Sequence, residues 1–408
     1  MSKPRQKALK VRIYPDKEQE VLILKTLGCC RFLYNQMLAE RISVYESLRE
    51  DKGSLYGHRY RTEKEYKAEY EWLKEVDSVS LQQSRIDLAA AYQNFFKSCT
   101  KKSKHKIGFP KFRKRGTKDS YRTVITGNNI AIDFVTRKLK LPKLGWIKFR
   151  DKRPFMHGTL KQATVRRTSS GKYFVSLLFT QEEHSQEQLK LHAGLKAKGL
   201  DMSLSLFYVD DCGNSPNYKP ISRNALSRAQ RALSKKQKGS CNREKAKLRV
   251  ARLHERIANR RSDFTHKLST KLIRENDVVI VEDLNLKAMA QGLNFGRSVH
   301  NIGFGEFTRQ LIYKADWYGK LVLKADKWFA SSKTCSSCGN YQKDITLADR
   351  LFECRICKLK ICRDHNAAIN LKNYGLKLLL GMGQPEITPL ESATSDLSCG
   401  SGQVGSLN

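Results

Sequence analysis

Four cysteines in the C-terminal third of the chain have the spacing of a metal site. They form two Cys-x-x-Cys pairs, Cys335 with Cys338 and Cys354 with Cys357, which are separated by fifteen residues. Two residues between cysteines allow a tight turn to direct both thiolates at one ion, and Gly339 can supply the positive φ that such a turn needs. Four thiolates close a tetrahedral site with no open position, so the spacing predicts a structural zinc ribbon. Free or disulfide-bonded cysteines are the alternative.

The residues after the second cysteine pair form a more specific pattern. The chain continues as KLKICRDHNAAINLKNYGLKLLL, in which Arg363 to Ala368 open a helix with an apolar stripe. This ribbon and the RDHNAA after it resemble the C-terminal signature of the TnpB family, the RNA-guided DNA endonucleases carried by insertion sequences. Related RuvC-type modules occur in type V CRISPR effectors. The family motif is Asp-Arg-Asp-x-Asn-Ala-Ala, and Cys362 stands where its first aspartate is expected.

The resemblance implies a RuvC-like nuclease whose carboxylates hold divalent cations. Asp201 lies near the start of a strand predicted over about 199–209 and resembles the first carboxylate, although Ser203 occupies a position where the family has glycine. Glu282 ends an apolar strand predicted over 277–285 and matches the second carboxylate. Nucleases of this type use two divalent ions bound by hard oxygen ligands, so Mg²⁺ or Mn²⁺ is the implied cofactor.

The third metal position decides the predicted activity. The sulfur of Cys362 is a soft ligand that suits zinc or copper(I) better than magnesium, which predicts weak or absent cleavage. Asp364 could substitute, but two positions along a helix rotate a side chain by about 200°. We therefore expect Asp364 to cap a helix that begins at His365. Slow hydrolysis with Mn²⁺ and two carboxylates is a further alternative.

The charge of the chain predicts a polyanionic partner. Lys and Arg number 77 against 40 Asp and Glu, which gives a net charge of +37. No apolar run approaches the roughly 18 residues of a membrane-spanning helix, so nucleic acid is favoured over a membrane. The N-terminus lacks the apolar region of a signal peptide, and the cysteines outside the ribbon show no paired framework. These features predict a cytoplasmic protein. The resemblance implies a bacterial or archaeal source and association with the nucleoid.

Basic and aromatic residues alternate in the segment GFPKFRKR. Basic groups beside aromatic faces suit a phosphate backbone with bases stacked alongside, whereas a solvated face is the alternative. The segment also resembles the G-F-P-[RK]-F-[KR] element of TnpB proteins, and two residues further upstream lie in segments similar to the part of the family that reads a target-adjacent DNA motif. The predicted nucleic-acid-binding residues are Lys111, Arg113, Lys114, Arg115, Tyr56 and Gln82.

Sequence periodicity predicts the elements around these sites. Residues 8–14 alternate as a strand, whereas residues 16–45 and 63–98 have helical spacing. Short alternating segments between 121 and 180 predict a small antiparallel barrel or sheet, which the first strand joins. Residues 223–262 contain fourteen Lys or Arg and two Glu, and predict two basic helices joined near Gly239.

These features predict an α/β multidomain protein. The resemblance implies that it combines an RNase H-like (RuvC) domain, into which the zinc ribbon is inserted, with a preceding small β-barrel domain that carries a helical insertion. The expected domains are a nucleic-acid-binding barrel (1–15 plus 101–190), a helical recognition domain (16–100), the RuvC-like domain (195–331 plus 358–380), the ribbon (332–357) and a disordered tail (381–408).

The resemblance implies a guide RNA and a double-stranded DNA target as partners of a monomeric ribonucleoprotein. The first interpretation is an RNA-guided DNA-binding protein with impaired nuclease activity, which acts by guided occupancy, for example as a transcriptional repressor. The alternative is an active endonuclease of an insertion sequence that uses Asp201 and Glu282 with a divalent metal. A guide-independent zinc-ribbon DNA-binding factor is a third hypothesis.

Overall fold

A computed structural model describes most of the chain. The described residues are 5–100, 107–116, 119–151, 153, 158–181, 194–219, 221–285, 289, 291, 302–346 and 349–381. The predicted disordered tail lies outside them except for Gly381. The chain divides into two compact units, residues 1–184 with 236–252 and residues 185–235 with 253–408.

The first unit contains a seven-stranded antiparallel sheet. Its strand order is β2-β6-β7-β1-β5-β4-β3. The predicted addition of the first strand to this sheet is confirmed, because β1 pairs with both β5 and β7. Among the described residues β2 and β3 form the two edges, so the observed pairing is that of a sheet. The strands are β1 (Arg5–Tyr14), β2 (Ser120–Val124), β3 (Ala131–Asp133), β4 (Lys138–Leu141), β5 (Gly145–Arg150), β6 (Thr159–Arg167) and β7 (Tyr173–Gln181).

The helices of the first unit lie between β1 and β2 in the sequence. They are α1 (Lys17–Leu48), α2 (Lys52–Gly57), α3 (Glu63–Glu69), a 3₁₀ turn (Glu71–Glu75) and α4 (Ser78–Cys99). The helical zone predicted over 63–98 is confirmed, although the chain breaks twice within it. Asp77 restarts the helix by accepting hydrogen bonds from the backbone N–H groups of Val79 and Ser80.

A four-stranded sheet forms the centre of the second unit. Its order is β11-β10-β8-β9, from β8 (Ala197–Ser203), β9 (Phe207–Asp210), β10 (Val278–Glu282) and β11 (Leu321–Ala325). β8, β10 and β11 are parallel, whereas β9 runs antiparallel to β8. The single strand predicted over 199–209 is wrong: a turn after Ser203, with Phe207 at a φ of 78°, makes it a hairpin.

Helices cover both faces of this sheet, as its buried central strand requires. On one face, Val279 and Val281 pack with apolar residues of neighbouring helices, and on the other Val278 and Ile280 do so. The helices of the second unit are α5 (Asn224–Ser234), α6 (Cys241–Glu275, whose residues up to 252 group with the first unit), α7 (Phe304–Tyr318) and α8 (Arg363–Leu379). The predicted pair of basic helices on either side of Gly239 is confirmed as α5 and α6.

Two glycines let α8 approach the sheet closely. A Cβ atom at Gly199 of β8 would overlap the carbonyl oxygen of Ala368, and one at Gly375 of α8 would overlap the side chain of Ile280. The close contact fixes the position of α8 along β8 and β10. Among the described residues, no helix is both long enough and apolar enough to cross a membrane.

Candidate active site and cysteine cluster

Two predicted carboxylates lie at the carboxyl ends of adjacent parallel strands. Asp201 follows Leu200 on β8, and Glu282 follows Val281 on β10, where Leu200 and Val281 are paired in register. Both side chains are partly buried. Ligands of open α/β sheets bind beyond the carboxyl ends of the strands, which is where these two groups are found.

A third carboxylate, that of Asp364, reaches the same place from α8. Burial first, and then the charges of Glu282 and Asp364, raise the pKa of Asp201 well above its usual range. Burial also raises the pKa of Glu282, with a further contribution from Asp364, while hydrogen bonds from Ser331 and Asp201 oppose the rise. Arg363 opposes the rise at Asp201 and pairs with Asp364 at 3.2 Å. Carboxylate oxygens that converge from three elements are the ligands that divalent cations such as Mg²⁺ prefer.

The observed helix start explains why sequence reasoning misplaced Asp364. α8 begins at Arg363 with Cys362 as its N-cap residue, and not at His365. Asp364 therefore lies in the first turn, where its charge acts on both other carboxylates, so the predictions that it faces away and serves as the cap are wrong. Cys362 itself is exposed and ends the strand β13 (Lys360–Cys362).

The hydroxyl of Ser331 holds Glu282 in place. Ser331 is buried and donates to Glu282 Oε1 at 2.8 Å. Its own carbonyl oxygen accepts a hydrogen bond of 2.7 Å from the side-chain amide of Asn370 on α8. The amides of Asn370 and Asn366 also donate to the carbonyl oxygen of Thr334, at 2.6 and 2.7 Å. The helix that carries Asp364 thus also fixes the loop that orients Glu282.

The four predicted cysteines form one cluster. Their sulfur atoms all lie within 4.8 Å of one another, with Cys335 and Cys357 at 3.6 Å and Cys338 and Cys354 at 3.5 Å. A tetrahedral ion with four bonds of about 2.3 Å to sulfur requires separations of about 3.8 Å, so the cluster fits such an ion. Burial opposes ionisation of Cys354, but N–H groups of the second turn lower the pKa of its thiol to about 6.

Both cysteine turns have the same backbone design. Gly339, after the first pair, has a φ of 75°, which confirms the prediction for this residue. Lys358, after the second pair, has a φ of 58° although it is not glycine. Each donates its N–H to the carbonyl oxygen of the first cysteine of its pair at 3.0 Å. The hairpin of β12 (Leu351–Glu353) and β13 completes the ribbon.

The predicted nucleic-acid-binding residues of the first unit differ in their surroundings. Lys111, Lys114, Arg115 and Gln82 are exposed, and Tyr56 on α2 is 86% exposed. Arg113 is instead engaged within the unit. Its guanidinium lies 3.8 Å from the ring centroid of Tyr34 and donates to Asp87 at 3.2 Å, and its backbone exchanges two hydrogen bonds with Asn35. It therefore orders the segment that carries the exposed cations.

Ser331, Asn366 and Asn370 were not identified from the sequence as residues of the site. Serine and asparagine are common polar residues, so a Ser-Ser pair before a cysteine turn predicts a loop and no particular partner. The asparagines do follow a pattern, because Asn366 and Asn370 are four residues apart and therefore share one face of a helix. That spacing could have indicated that α8 binds a backbone segment.

Three protein-family models match parts of the chain. Residues 304–371 match a family described as Cas12f1-like, TNB domain, and residues 180–292 match one described as probable transposase. Residues 1–50 match a helix-turn-helix domain. The described part of that last stretch folds differently here, as the strand β1 followed by the single long helix α1.

Two named relatives align with nearly the whole chain. A Streptomyces pristinaespiralis protein named "Putative RNA-guided DNA endonuclease" is 34% identical over 375 residues, which cover 91% of this chain and 89% of that protein. "Putative RNA-guided DNA endonuclease InsQ" of Escherichia coli K12 is 31% identical over 399 residues, 92% of this chain and 94% of that protein. A cryo-EM structure of a Cas12f1–sgRNA–target DNA complex aligns with a TM-score of 0.49 at 14% identity, over 91% of this chain and 99% of that one.

Proposed function

This chain belongs to the TnpB family, and from that premise we propose that it is an RNA-guided DNA endonuclease. Its catalytic residues would be Asp201, Glu282 and Asp364. The observation that carries this proposal is the convergence of three carboxylates from β8, β10 and α8 at one end of a mainly parallel sheet, where Glu282 and Asp364 raise the pKa of Asp201 and Asp364 raises the pKa of Glu282. Such a cluster is costly unless cations neutralise it.

The chain's own residues would prepare this site in three ways. Asp201 and Glu282 offer oxygen ligands from adjacent strands, and Asp364 offers a third from the first turn of α8. Ser331 donates to Oε1 of Glu282, and the hydrogen bond between Glu282 and Asp201 would give way to a shared ion. When bound, two divalent ions supply an activated water molecule and stabilise the leaving oxygen. Mg²⁺ or Mn²⁺ suits these hard ligands, and Zn²⁺ suits the four cysteines as a structural ion.

Guide RNA and double-stranded DNA are the proposed partners. The relatives that span the chain are named RNA-guided DNA endonucleases, and the net charge of +37 fits two polyanions. Lys111, Lys114 and Arg115 would contact phosphate, while Tyr56 and Gln82 would read the motif beside the target. In this proposal the sheet of the first unit is a barrel-like RNA-binding domain with a helical insertion, and the second unit is RuvC-like, with the boundaries given above.

A second candidate function is guided DNA occupancy without cleavage, for example in transcriptional repression. It is favoured by Cys362, which departs from the aspartate of the family motif. This function requires Cys362 to be the third metal position, where a thiolate would bind Mg²⁺ poorly. The exposure of Cys362 and the proximity of Asp364 to the other carboxylates support the first function instead.

One experiment separates these functions. The protein is purified with its copurifying RNA and mixed with matched or mismatched duplex DNA and Mg²⁺, and binding and cleavage are followed together. We expect cleavage of matched DNA by the wild type and by Cys362→Ser, and none by Asp364→Asn. Binding without cleavage by the wild type, with cleavage restored in Cys362→Asp, would establish guided occupancy. Equal binding of matched and mismatched DNA would indicate a guide-independent factor.

A further inference from the structure

The loop that joins β11 to the first cysteine turn is fixed by hydrogen bonds along its length. The N–H groups of Trp328 and Phe329 donate to the side chain and carbonyl of Asp326, at 2.8 and 3.0 Å. The ring of Phe329 packs on Tyr374 of α8, with centroids 4.5 Å apart. The N–H of Ser331 then donates to the carbonyl oxygen of Phe329 at 2.9 Å. These bonds hold the loop in one conformation.

The indole of Trp328 nevertheless lies in solvent. It is 82% exposed, and it is the most exposed of the four tryptophans of the chain. A single exposed aromatic side chain is common on protein surfaces and by itself indicates nothing. What distinguishes Trp328 is that its backbone is held firmly while its ring is left open. An exposed ring on an ordered backbone is suited to binding because no backbone conformational entropy has to be lost when a ligand covers the ring.

Both ends of the loop meet Glu282. Ala325, the last residue of β11, is the register partner of Glu282 in the parallel pair with β10. At the other end, the Ser331 hydroxyl donates to Glu282. Trp328 is three residues from Ala325 and three from Ser331. Three residues of extended chain are about 10 Å long, so Trp328 lies within about that distance of both. A nucleic-acid strand at the carboxylates would therefore have neighbouring bases within reach of the indole.

The chemistry of the ring defines its ligand. The face of an indole stacks on any nucleobase, and the base must be unpaired and unstacked to offer its own face. The ammonium of Lys327 lies 4.8 Å from the centroid of the Trp328 ring, so a cation is present for the phosphate of a stacked nucleotide. The ligand class is thus single-stranded nucleic acid.

We propose that Trp328 is a stacking platform for one unpaired base of the strand whose backbone lies at Asp201, Glu282 and Asp364. This inference rests on the nuclease function proposed above and adds a binding site to it. The platform fixes the strand next to the scissile phosphate, so its loss slows cleavage more than it weakens binding of the whole target.

A chemical double-mutant cycle tests the platform. Cleavage by the wild type and by Trp328→Ala is measured on matched targets that carry one abasic nucleotide at successive positions near the cut. On intact DNA, Trp328→Ala should slow cleavage about tenfold, from the usual contribution of one stacked base, and Trp328→Phe should retain most of the rate. With the abasic nucleotide at the stacked position, wild type and Trp328→Ala should cut equally slowly. The same tenfold difference at every position would overturn the proposal.

The control variant is Tyr318→Ala. Tyr318 is also exposed but precedes β11, so it lies at the opposite end of the strand from the carboxylates. We expect it to cut at the wild-type rate on every substrate. A tenfold loss in this variant would mean that removal of any exposed ring from this unit suffices, and would also overturn the proposal.

A second readout separates failure of the platform from failure of the nuclease function. A single-stranded oligonucleotide containing 2-aminopurine is added with Ca²⁺ in place of Mg²⁺, and its fluorescence is recorded. Stacking on Trp328 should quench the probe, and Trp328→Ala should abolish that quenching. If the wild type cuts no matched target, the nuclease proposal fails, yet quenching still decides the platform. If the wild type cuts, but Trp328→Ala changes neither rate nor quenching, only the platform is wrong.

Discussion

The cysteine cluster and the carboxylate cluster are two candidate metal sites built in opposite ways. The four cysteines come from one short stretch, 335–357, and two similar turns place them. The three carboxylates come from distant parts of the chain, on β8, β10 and α8, and only the packing of the second unit brings them together. The sulfur ligands are soft and close a site, whereas the oxygen ligands are hard and leave positions open.

This difference predicts that the cysteine cluster stabilises the fold and that the carboxylate cluster destabilises it. A structural metal contributes to folding directly, so loss of a cysteine should unfold the ribbon. The carboxylates lie close together and are partly buried, so we expect them to weaken the fold when no divalent ion is bound between them. Substitution of a cysteine should therefore lower stability, whereas substitution of a carboxylate should lower activity without lowering stability.

The largest expected effect on stability is at the cysteines. Cys354→Ser should lose the bound zinc and several kcal/mol of ribbon stability, because the binding energy of a structural zinc is about 10 kcal/mol or more. Zinc content by atomic absorption and thermal unfolding would measure this. Cys241→Ser, at an exposed cysteine that begins α6, is the control and should change neither. An unchanged unfolding curve for Cys354→Ser would refute the structural role.

Close packing of α8 against the sheet should affect the position of the carboxylate of Asp364 but not zinc binding by the cysteines. Gly199→Ala inserts a methyl group against the carbonyl oxygen of Ala368, so it should destabilise the second unit by about 1–3 kcal/mol and displace Asp364. Cleavage should fall while zinc content remains normal. Gly28→Ala, at a helical glycine with nothing near its Cβ position, is the control and should be neutral or slightly stabilising. Retained cleavage in Gly199→Ala would contradict the packing argument.

Ser331 belongs to the loop that joins the two sites. Ser331→Ala removes a hydrogen bond to a carboxylate and should slow cleavage about tenfold and raise the Mg²⁺ concentration required, since such a bond contributes about 1.5–3 kcal/mol. The cleavage rate measured as a function of Mg²⁺ concentration would show both effects. Ser331→Thr keeps a hydroxyl and should cleave at close to the wild-type rate with the wild-type Mg²⁺ requirement. Ser332→Ala removes a hydroxyl from the next residue and should be silent. If the two variants behave alike, Ser331 does not orient Glu282.

The smallest expected effect is a gain in stability. Because the folded-state pKa of Asp201 is raised, the folded protein binds more protons than the unfolded one between the two pKa values, and stability falls as pH rises through that window. In zinc-loaded protein without Mg²⁺ or Mn²⁺ at neutral pH, Asp201→Asn should raise the melting temperature by a few degrees, and the gain should vanish near pH 4. Melting curves across pH would measure this. A lower melting temperature at pH 7 would show that the cluster stabilises the fold.

The sequence predicted local features well and long-range ones less well. The ribbon, the helix after it, the buried strand 278–282 and the two basic helices were visible because spacing and periodicity act over short distances. The place of Asp364 beside the other carboxylates was missed because Asp364 resembles an N-cap residue, whereas the N-cap is Cys362, a residue type with no capping preference. The contacts of Gly199 and Ser331 depend on partners far along the chain, which no local pattern records.

The position of bound manganese tests the central claim most directly. Mn²⁺ binding to zinc-loaded protein is followed by electron paramagnetic resonance for the wild type, Asp364→Asn and Cys362→Ser. If Asp201, Glu282 and Asp364 form the site, Asp364→Asn should bind Mn²⁺ much more weakly and Cys362→Ser should match the wild type. If Cys362→Ser loses Mn²⁺ and Asp364→Asn keeps it, Cys362 is the third metal position and the assignment of Asp364 is wrong.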